Sequence, residues 1–152
     1  MHNEANFFQV YSQSILDLAA NIPRLGRLAA PQATAKAHSK LCGSTVTVDL
    51  VMAEGRVVDF AQDVKACALG QAAASIMARN VIGASGAELR ALREEVRAML
   101  KEDGPPPKGK WAEIALLEPV RDYKARHAST LLTFDATVDC VDQIERAGAA
   151  GI

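Results

Sequence analysis

Thr45-Val46-Thr47-Val48-Asp49-Leu50-Val51-Met52-Ala53-Glu54-Gly55-Arg56-Val57-Val58-Asp59-Phe60-Ala61-Gln62-Asp63-Val64 carries the pattern on which the fold turns. Val46, Val48 and Leu50 alternate with Thr45, Thr47 and Asp49, and a period of two predicts a half-buried strand. Ala53-Glu54-Gly55-Arg56 reads as a short turn and Val57 to Val64 as the partner strand. A hairpin is the simplest structure for this stretch. Residues 33–40 read as a third, weaker strand.

Beyond the hairpin the period changes. From Ala68 onward Leu69, Ala72, Ala73, Ile76 and Met77 form one apolar stripe at helical spacing. Small Ala side chains on that stripe let a helix lie close to the sheet. Ser85-Gly86-Ala87-Glu88 is a capping-box pattern that opens a helix with Leu89, Leu92, Val96 and Met99 inward. Gly104-Pro105-Pro106-Pro107-Lys108-Gly109-Lys110 reads as a surface loop, with a short apolar element from Trp111 to Leu117 behind it. A last helix is expected from about Ala128 to Arg146, its inner face Leu131, Phe134, Val138, Val141 and Ile144. The Gly148-to-Gly151 tail should fray. On the other side, residues 7–20 place Phe8, Tyr11, Ile15 and Leu18 at helical spacing, and Pro23 and Gly26 end that helix. The order predicts an α+β fold: a small antiparallel three-stranded sheet packed on one side by helices, with an N-terminal helix and a long C-terminal helix. Residues 1–152 are expected to form a single domain without internal repeats.

Composition narrows the function classes. With 152 residues, 49% hydrophobic and 23% charged, the chain is of ordinary globular make-up. Its formal net charge is −1 and no basic stripe stands out, so nucleic-acid binding has little electrostatic support. No apolar stretch is long enough to cross a bilayer, so no membrane partner is expected. Met1-His2-Asn3-Glu4 lacks a basic n-region and a long apolar core, so no secretory signal is expected. Three widely spaced cysteines do not resemble a disulfide framework, which points to a reducing cytoplasm.

Cys42 lies in Leu41-Cys42-Gly43-Ser44, in the turn that feeds the first hairpin strand. Cys67 follows the second strand and stands at the start of the next helix. Unpaired helix N–H groups and the positive end of the dipole there favour thiolate, the form that binds metal and attacks electrophiles. Residues just before the first strand of a hairpin and just after the second share one end of the sheet, so the two thiols are expected to be neighbours. Simple packing of small buried thiols is the alternative at this point. Cys140 falls mid-helix, eleven residues or about 16 Å beyond Ser129, and reads as a core thiol. His127 precedes the last helix as a cap, a surface residue or a ligand, whereas His2 and His38 have no context that singles them out.

Four motifs in the right order resemble those of the SufU/IscU-type (NifU N-terminal-like) iron–sulfur cluster assembly scaffolds. Asn21-Ile22-Pro23-Arg24-Leu25-Gly26 is similar to that family's Asn-Pro-Arg-Asn-x-Gly turn, with one extra residue before the proline. Tyr11 falls where the family has a Tyr in its first helix. Leu41-Cys42-Gly43-Ser44 resembles its Cys-Gly-Asp, and Cys67-Ala68-Leu69-Gly70-Gln71-Ala72-Ala73-Ala74-Ser75 its second cysteine stretch. Leu117-Glu118-Pro119-Val120-Arg121-Asp122-Tyr123-Lys124-Ala125-Arg126-His127-Ala128-Ser129 resembles the run that delivers the third cysteine. The segment before it matches the SufU branch, which carries an insertion there.

The resemblance implies an assembly scaffold or sulfur acceptor that holds zinc or a transient iron–sulfur cluster. The partners it implies are a cysteine desulfurase and iron–sulfur recipient proteins. Cys42 and Cys67 match the first two ligands, while Ser44 stands at the aspartate position and Ser129 at the third cysteine position. Serine hydroxyls are poor ligands beside thiolate and carboxylate. The altered set therefore implies Cys42, Cys67, Ser129 and an inward-turned His127 as metal ligands, or no bound metal at all. Cys67, at its helix start, is the expected sulfur acceptor. Two other functions fit the same residues: a binding or regulatory homologue that keeps the partner surface without assembling clusters, or a thiol enzyme with Cys67 as nucleophile and His127 as base. A scaffold or carrier, rather than an enzyme in its own right, is the reading preferred here.

Overall fold

The computed structural model of the chain describes residues 9–150; Phe8 and His2 lie outside them. Helix α1 spans Gln13–Ala20. Gln9 and Val10 are helical as the apolar spacing predicts, but the helix breaks at Tyr11 and Ser12, where the Ser12 hydroxyl accepts the Ile15 N–H at 3.3 Å and caps a new start. Tyr11 therefore precedes the helix. Strands β1 (Ala33–His38), β2 (Thr45–Ala53) and β3 (Arg56–Lys65) form an antiparallel sheet in the order β1-β2-β3. The β2–β3 turn has positive φ at both Glu54 (54°) and Gly55 (76°), the two-residue geometry that matches strand twist. Helix α2 (Ala68–Asn80) and helix α3 (Gly86–Lys101) follow. A run of 3-10 turns, Gly109–Asp122, a further turn at Lys124–Arg126, and helix α4 (His127–Ala150) complete the chain.

Two expectations shift at their edges. Regular turns begin at Gly109 instead of Trp111, since nothing after Pro107 bars them, and Pro119 lies inside the run. Helix α4 continues beyond Arg146 to Ala150, because Ala147 and Ala149 are good helix formers and Gly148 alone lacks the strength to stop it.

Register sorts the sheet into two faces. Ala35, Val48 and Gln62 share a row on the inner face, and Ala33, Leu50 and Phe60 another. Helices α2 and α4 cover this face, and Val48, Leu50, Phe60, Leu69, Ile76, Phe134 and Val138 are buried in one core. Gln62 is a polar residue at its centre. Its amide nitrogen donates to Ala74 O of α2 at 2.8 Å, and its carbonyl oxygen accepts the Thr133 hydroxyl of α4 at 3.0 Å. One side chain thus ties β3 to both helices with its polar atoms satisfied, the condition for burying an amide without penalty.

On the outer face Asp49 plays the corresponding part. It is fully buried and accepts Arg27 Nε at 2.7 Å, Arg27 Nη2 at 3.1 Å, Leu28 N–H at 3.0 Å and the Thr34 hydroxyl at 2.6 Å. Those partners hold its carboxyl below the usual carboxylate range, the Arg27 hydrogen bond foremost. They also fasten the 24–28 segment over the sheet. That segment pairs with β3 as well: Gly26 N–H donates to Gln62 O at 2.9 Å, and Gln62 N–H to Arg24 O at 3.1 Å.

Replacing Asp49 with Ala strands the Leu28 N–H and the Thr34 hydroxyl, so it is expected to cost about 2–3 kcal/mol in chemical denaturation. Because the folded pKa is depressed, Asp49 stabilises the wild type above its unfolded value. That contribution fades as pH falls below about 4. The variant should accordingly show a flatter acid limb in its stability profile.

Candidate functional site

Thr45 pairs with Lys65, so the β1–β2 loop and the segment after β3 emerge at one end of the sheet. Within the loop Ser39 N–H donates to Ser44 O at 2.9 Å and Gly43 N–H to Ser39 O at 2.8 Å. Gly43 takes φ 75°, which a side chain would resist, and the bend presents Cys42 to solvent. Cys67 is the N-cap residue of α2, as its position after the second hairpin strand predicts, and is partly buried.

The third element is the start of α4, and Gly70 brings it close. A β-carbon at Gly70 would lie 2.8 Å from Ala66 Cβ and 3.0 Å from the Ser129 carbonyl oxygen, tighter than real contacts allow. With hydrogen there instead, the first turns of α2 and α4 touch. Ser129 Oγ then stands 3.5 Å from Cys67 Sγ, and it also donates to Arg126 O at 3.2 Å. The Ser129 hydroxyl acts on Cys42 as well. The nearly buried Ser129 hydroxyl thus sits against Cys67, at the end of the sheet from which the Cys42 loop also emerges.

Cys42 has a specific electrostatic environment. Its sulfur lies 3.5 Å from Ser39 Oγ and 3.0 Å from Ser44 Oγ, and the Ser44 N–H also points at it. Hydroxyl and amide donors favour the anion. They lower the Cys42 pKa from 9.0 to about 7, led by the Ser39 contact. The helix-dipole argument singles out Cys67, but the group of hydroxyl donors surrounds the other thiol. The cue was in the sequence, as Ser39, Cys42 and Ser44 within six residues. Only the loop geometry aims both hydroxyls at one sulfur.

His127 does not turn toward the thiols. Its Nε2 donates to the carbonyls of Val120 (3.1 Å) and Arg121 (3.0 Å), and the ring is buried. It lines a separate cavity of about 350 Å³ with Lys101, Asp103, Arg121 and Lys124. Among the described residues no three His, Cys, Asp or Glu side chains stand together in a way that could hold a metal ion. The expected Cys42/Cys67/His127 set is thus not assembled, because the 3-10 turn before α4 uses the imidazole to satisfy its own terminal carbonyls. The same bonds remove His127 as a base for Cys67. Cys140 is fully buried, with its thiol donating to Val48 O at 3.4 Å, and burial pushes its pKa up to about 12. It is a core thiol, and it takes no part in the site.

Comparison with known proteins gives a consistent set of likenesses. A family model, the NifU-like N-terminal domain, matches residues 10–130. The crystal structure of a nitrogen-fixing NifU-like protein (N-terminal) from Brucella abortus superposes with a TM-score of 0.91 at 61% identity, covering 93% of this chain and 98% of that one. An iron–sulfur cluster assembly scaffold protein IscU from Thermotoga maritima is 27% identical over 140 residues, 92% of this chain and 98% of its own. A SufU structure from Fervidobacterium islandicum, described as a cluster assembly scaffold for the SUF system, shares the fold at 20% identity. Its TM-score is 0.78, over 85% of this chain and 94% of that one.

Two measurements follow from the geometry. In metal-free protein, alkylation of Cys42 by iodoacetamide should be half-maximal near pH 7, with Ser44→Ala or Ser39→Ala moving the midpoint upward. An unshifted midpoint in both variants would show that the hydroxyls do not set the acidity. Gly70→Ala should destabilise the fold by about 1–3 kcal/mol through overpacking at the α2–α4 contact, read by urea denaturation.

Proposed function

This chain belongs to the NifU-like N-terminal domain family, and on that premise we propose that it is an iron–sulfur cluster assembly scaffold. In this reading it accepts sulfur from a cysteine desulfurase, holds the nascent cluster as cargo through Cys42 and Cys67, and passes it to recipient proteins. The observation that supports the proposal is that the loop carrying Cys42 and the helix start carrying Cys67 emerge at one end of the sheet, with the Ser129 hydroxyl 3.5 Å from Cys67 Sγ. Core packing accounts for Cys140 but not for Cys42, which is exposed.

Cys42 is the sulfur acceptor in this scheme, in place of Cys67. Near neutral pH about half of it is thiolate, and it stands on an open loop where a donor enzyme can reach it. The thiolate attacks the outer sulfur of the desulfurase persulfide. The persulfide S–S bond breaks, a new S–S bond forms on Cys42, and the donor cysteine leaves as thiolate. Sulfane sulfur changes hands without net oxidation. Ser39 and Ser44 stabilise the attacking anion before the step, and Ser129 keeps Cys67 beside it.

The donor set argues for cargo over a resident zinc ion. Two thiols and two hydroxyls leave a tetrahedral zinc short of its usual thiolate, imidazole or carboxylate ligands, so no step is assigned to zinc. Three free thiols fit a reducing cytoplasm, and among the described residues no helix is long and apolar enough to cross a membrane.

Incubating the metal-free chain with a cysteine desulfurase and cysteine should add the mass of one sulfur atom, seen by intact-protein mass spectrometry. Cys42→Ala should abolish the addition and Cys140→Ala should leave it unchanged. Full loading of Cys42→Ala would move the acceptor role to Cys67.

A further inference from the structure

We propose that the cavity beside His127 is a binding site for a phosphoryl group, taken either as free phosphate or as a small phosphate ester. It lies between the end of α3 and the turns that lead into α4, and Leu100, Lys101, Asp103, Arg121, Lys124 and His127 line it. At about 350 Å³ it falls at the small end of ligand pockets, which run from roughly 300 to 1,000 Å³. The site is separate from the thiol end of the sheet. His127 and Ser129 share the first turn of α4, yet the first lines the cavity while the second stands against Cys67. Sulfur transfer and cluster holding use none of the cavity's side chains.

Charge and hydrogen bonding both call for an anion here. The walls carry three cationic side chains, Lys101, Arg121 and Lys124, against one carboxylate, Asp103, which leaves two positive charges over. Lys101 and Lys124 are exposed, and among the described residues neither is in an ion pair. Arg121 is the better-anchored cation, its side chain 25% exposed. Its Nη2 pairs with Glu118 Oε2 at 3.0 Å and donates to Gly104 O at 3.4 Å, while Nη1 stands 3.6 Å from Asp103. Its Nε is buried with no hydrogen-bond partner. A buried donor left unpaired is costly, and a small turn of the guanidinium toward an acceptor in the cavity removes that deficit. Asp103 is a weak rival for the place, since its side chain is 84% exposed and its contact is long, so it swings into water when another anion arrives. The C-terminal end of α3 carries partial negative charge, but Ala98 O there is already occupied by the N–H groups of Glu102 at 2.8 Å and Gly104 at 3.0 Å. Three cations around one space suit a phosphoryl dianion. Its tetrahedral oxygens accept from several directions at once, whereas a carboxylate offers two coplanar acceptors.

Amide NMR of the full chain at physiological ionic strength, titrated in turn with inorganic phosphate, ribose 5-phosphate and sodium acetate, tests this. Phosphate or its ester should shift the amides of residues 100–104 and 120–127 to saturation and leave those around Cys42 in place. A lower midpoint for ribose 5-phosphate makes an ester the occupant, and a lower one for inorganic phosphate makes it the free ion; either supports the site. Lys124→Gln, at an exposed position, should weaken binding about tenfold through loss of one charge-assisted hydrogen bond. Asp103→Asn, which removes the competing carboxylate, should tighten it. Acetate that gives the same shifts at the same midpoint overturns the phosphoryl assignment. Shifts that never saturate or spread over the other lysines overturn the site, as do Lys124→Gln and Asp103→Asn proteins that bind like wild type. None of these outcomes bears on sulfur loading at Cys42, so the scaffold reading is tested apart from the cavity.

Discussion

At Gly70 the chain has no β-carbon, and two helices use the space. The first turn of α2 and the first turn of α4 approach until the Ser129 carbonyl lies where a side chain would otherwise be. This contact sets the direction in which α4 leaves the 3-10 turns, and therefore how it crosses the inner face of the sheet to bury Phe134, Val138 and Cys140. It also puts the Ser129 hydroxyl against Cys67. The site is thus a by-product of close helix packing at one end of the core, and its geometry is only as good as that packing.

Hydroxyls change what such a site does. Thiolate and carboxylate ligands carry charge of their own and hold a metal through it, whereas Ser39, Ser44 and Ser129 are neutral and act through hydrogen bonds with the sulfurs. Their effect is to make one sulfur a better anion at neutral pH, not to add ligands.

The frame around the site is made stiff by two polar side chains placed where apolar ones would be expected. Gln62 links β3 to α2 and α4 from inside the core, and Asp49 clamps the 24–28 segment from the opposite face. Each has its hydrogen bonds satisfied, so each specifies one arrangement of its neighbours without the penalty of an orphaned polar group. Both lie on strands whose ends carry the thiol loop, so the reactive end is anchored by the interior.

Local patterns in the chain were enough to determine the elements and their order. The two-residue period at 45–64, the stripe from Leu69 and the Ser85 cap depend on neighbours within one turn or one strand, and such signals survive in a linear reading. Hairpin topology alone also placed Cys42 and Cys67 at the same end, and mid-helix position alone marked Cys140 as core. Tertiary structure decided the rest. Whether His127 faced the thiols depended on which carbonyls of the preceding 3-10 turn needed a donor, and it took those of Val120 and Arg121. Which thiol became the acidic one depended on three hydroxyls brought together by a left-handed glycine and a close helix contact. Side-chain direction and long-range approach are set by packing among residues far apart in the chain, and no spacing rule encodes them.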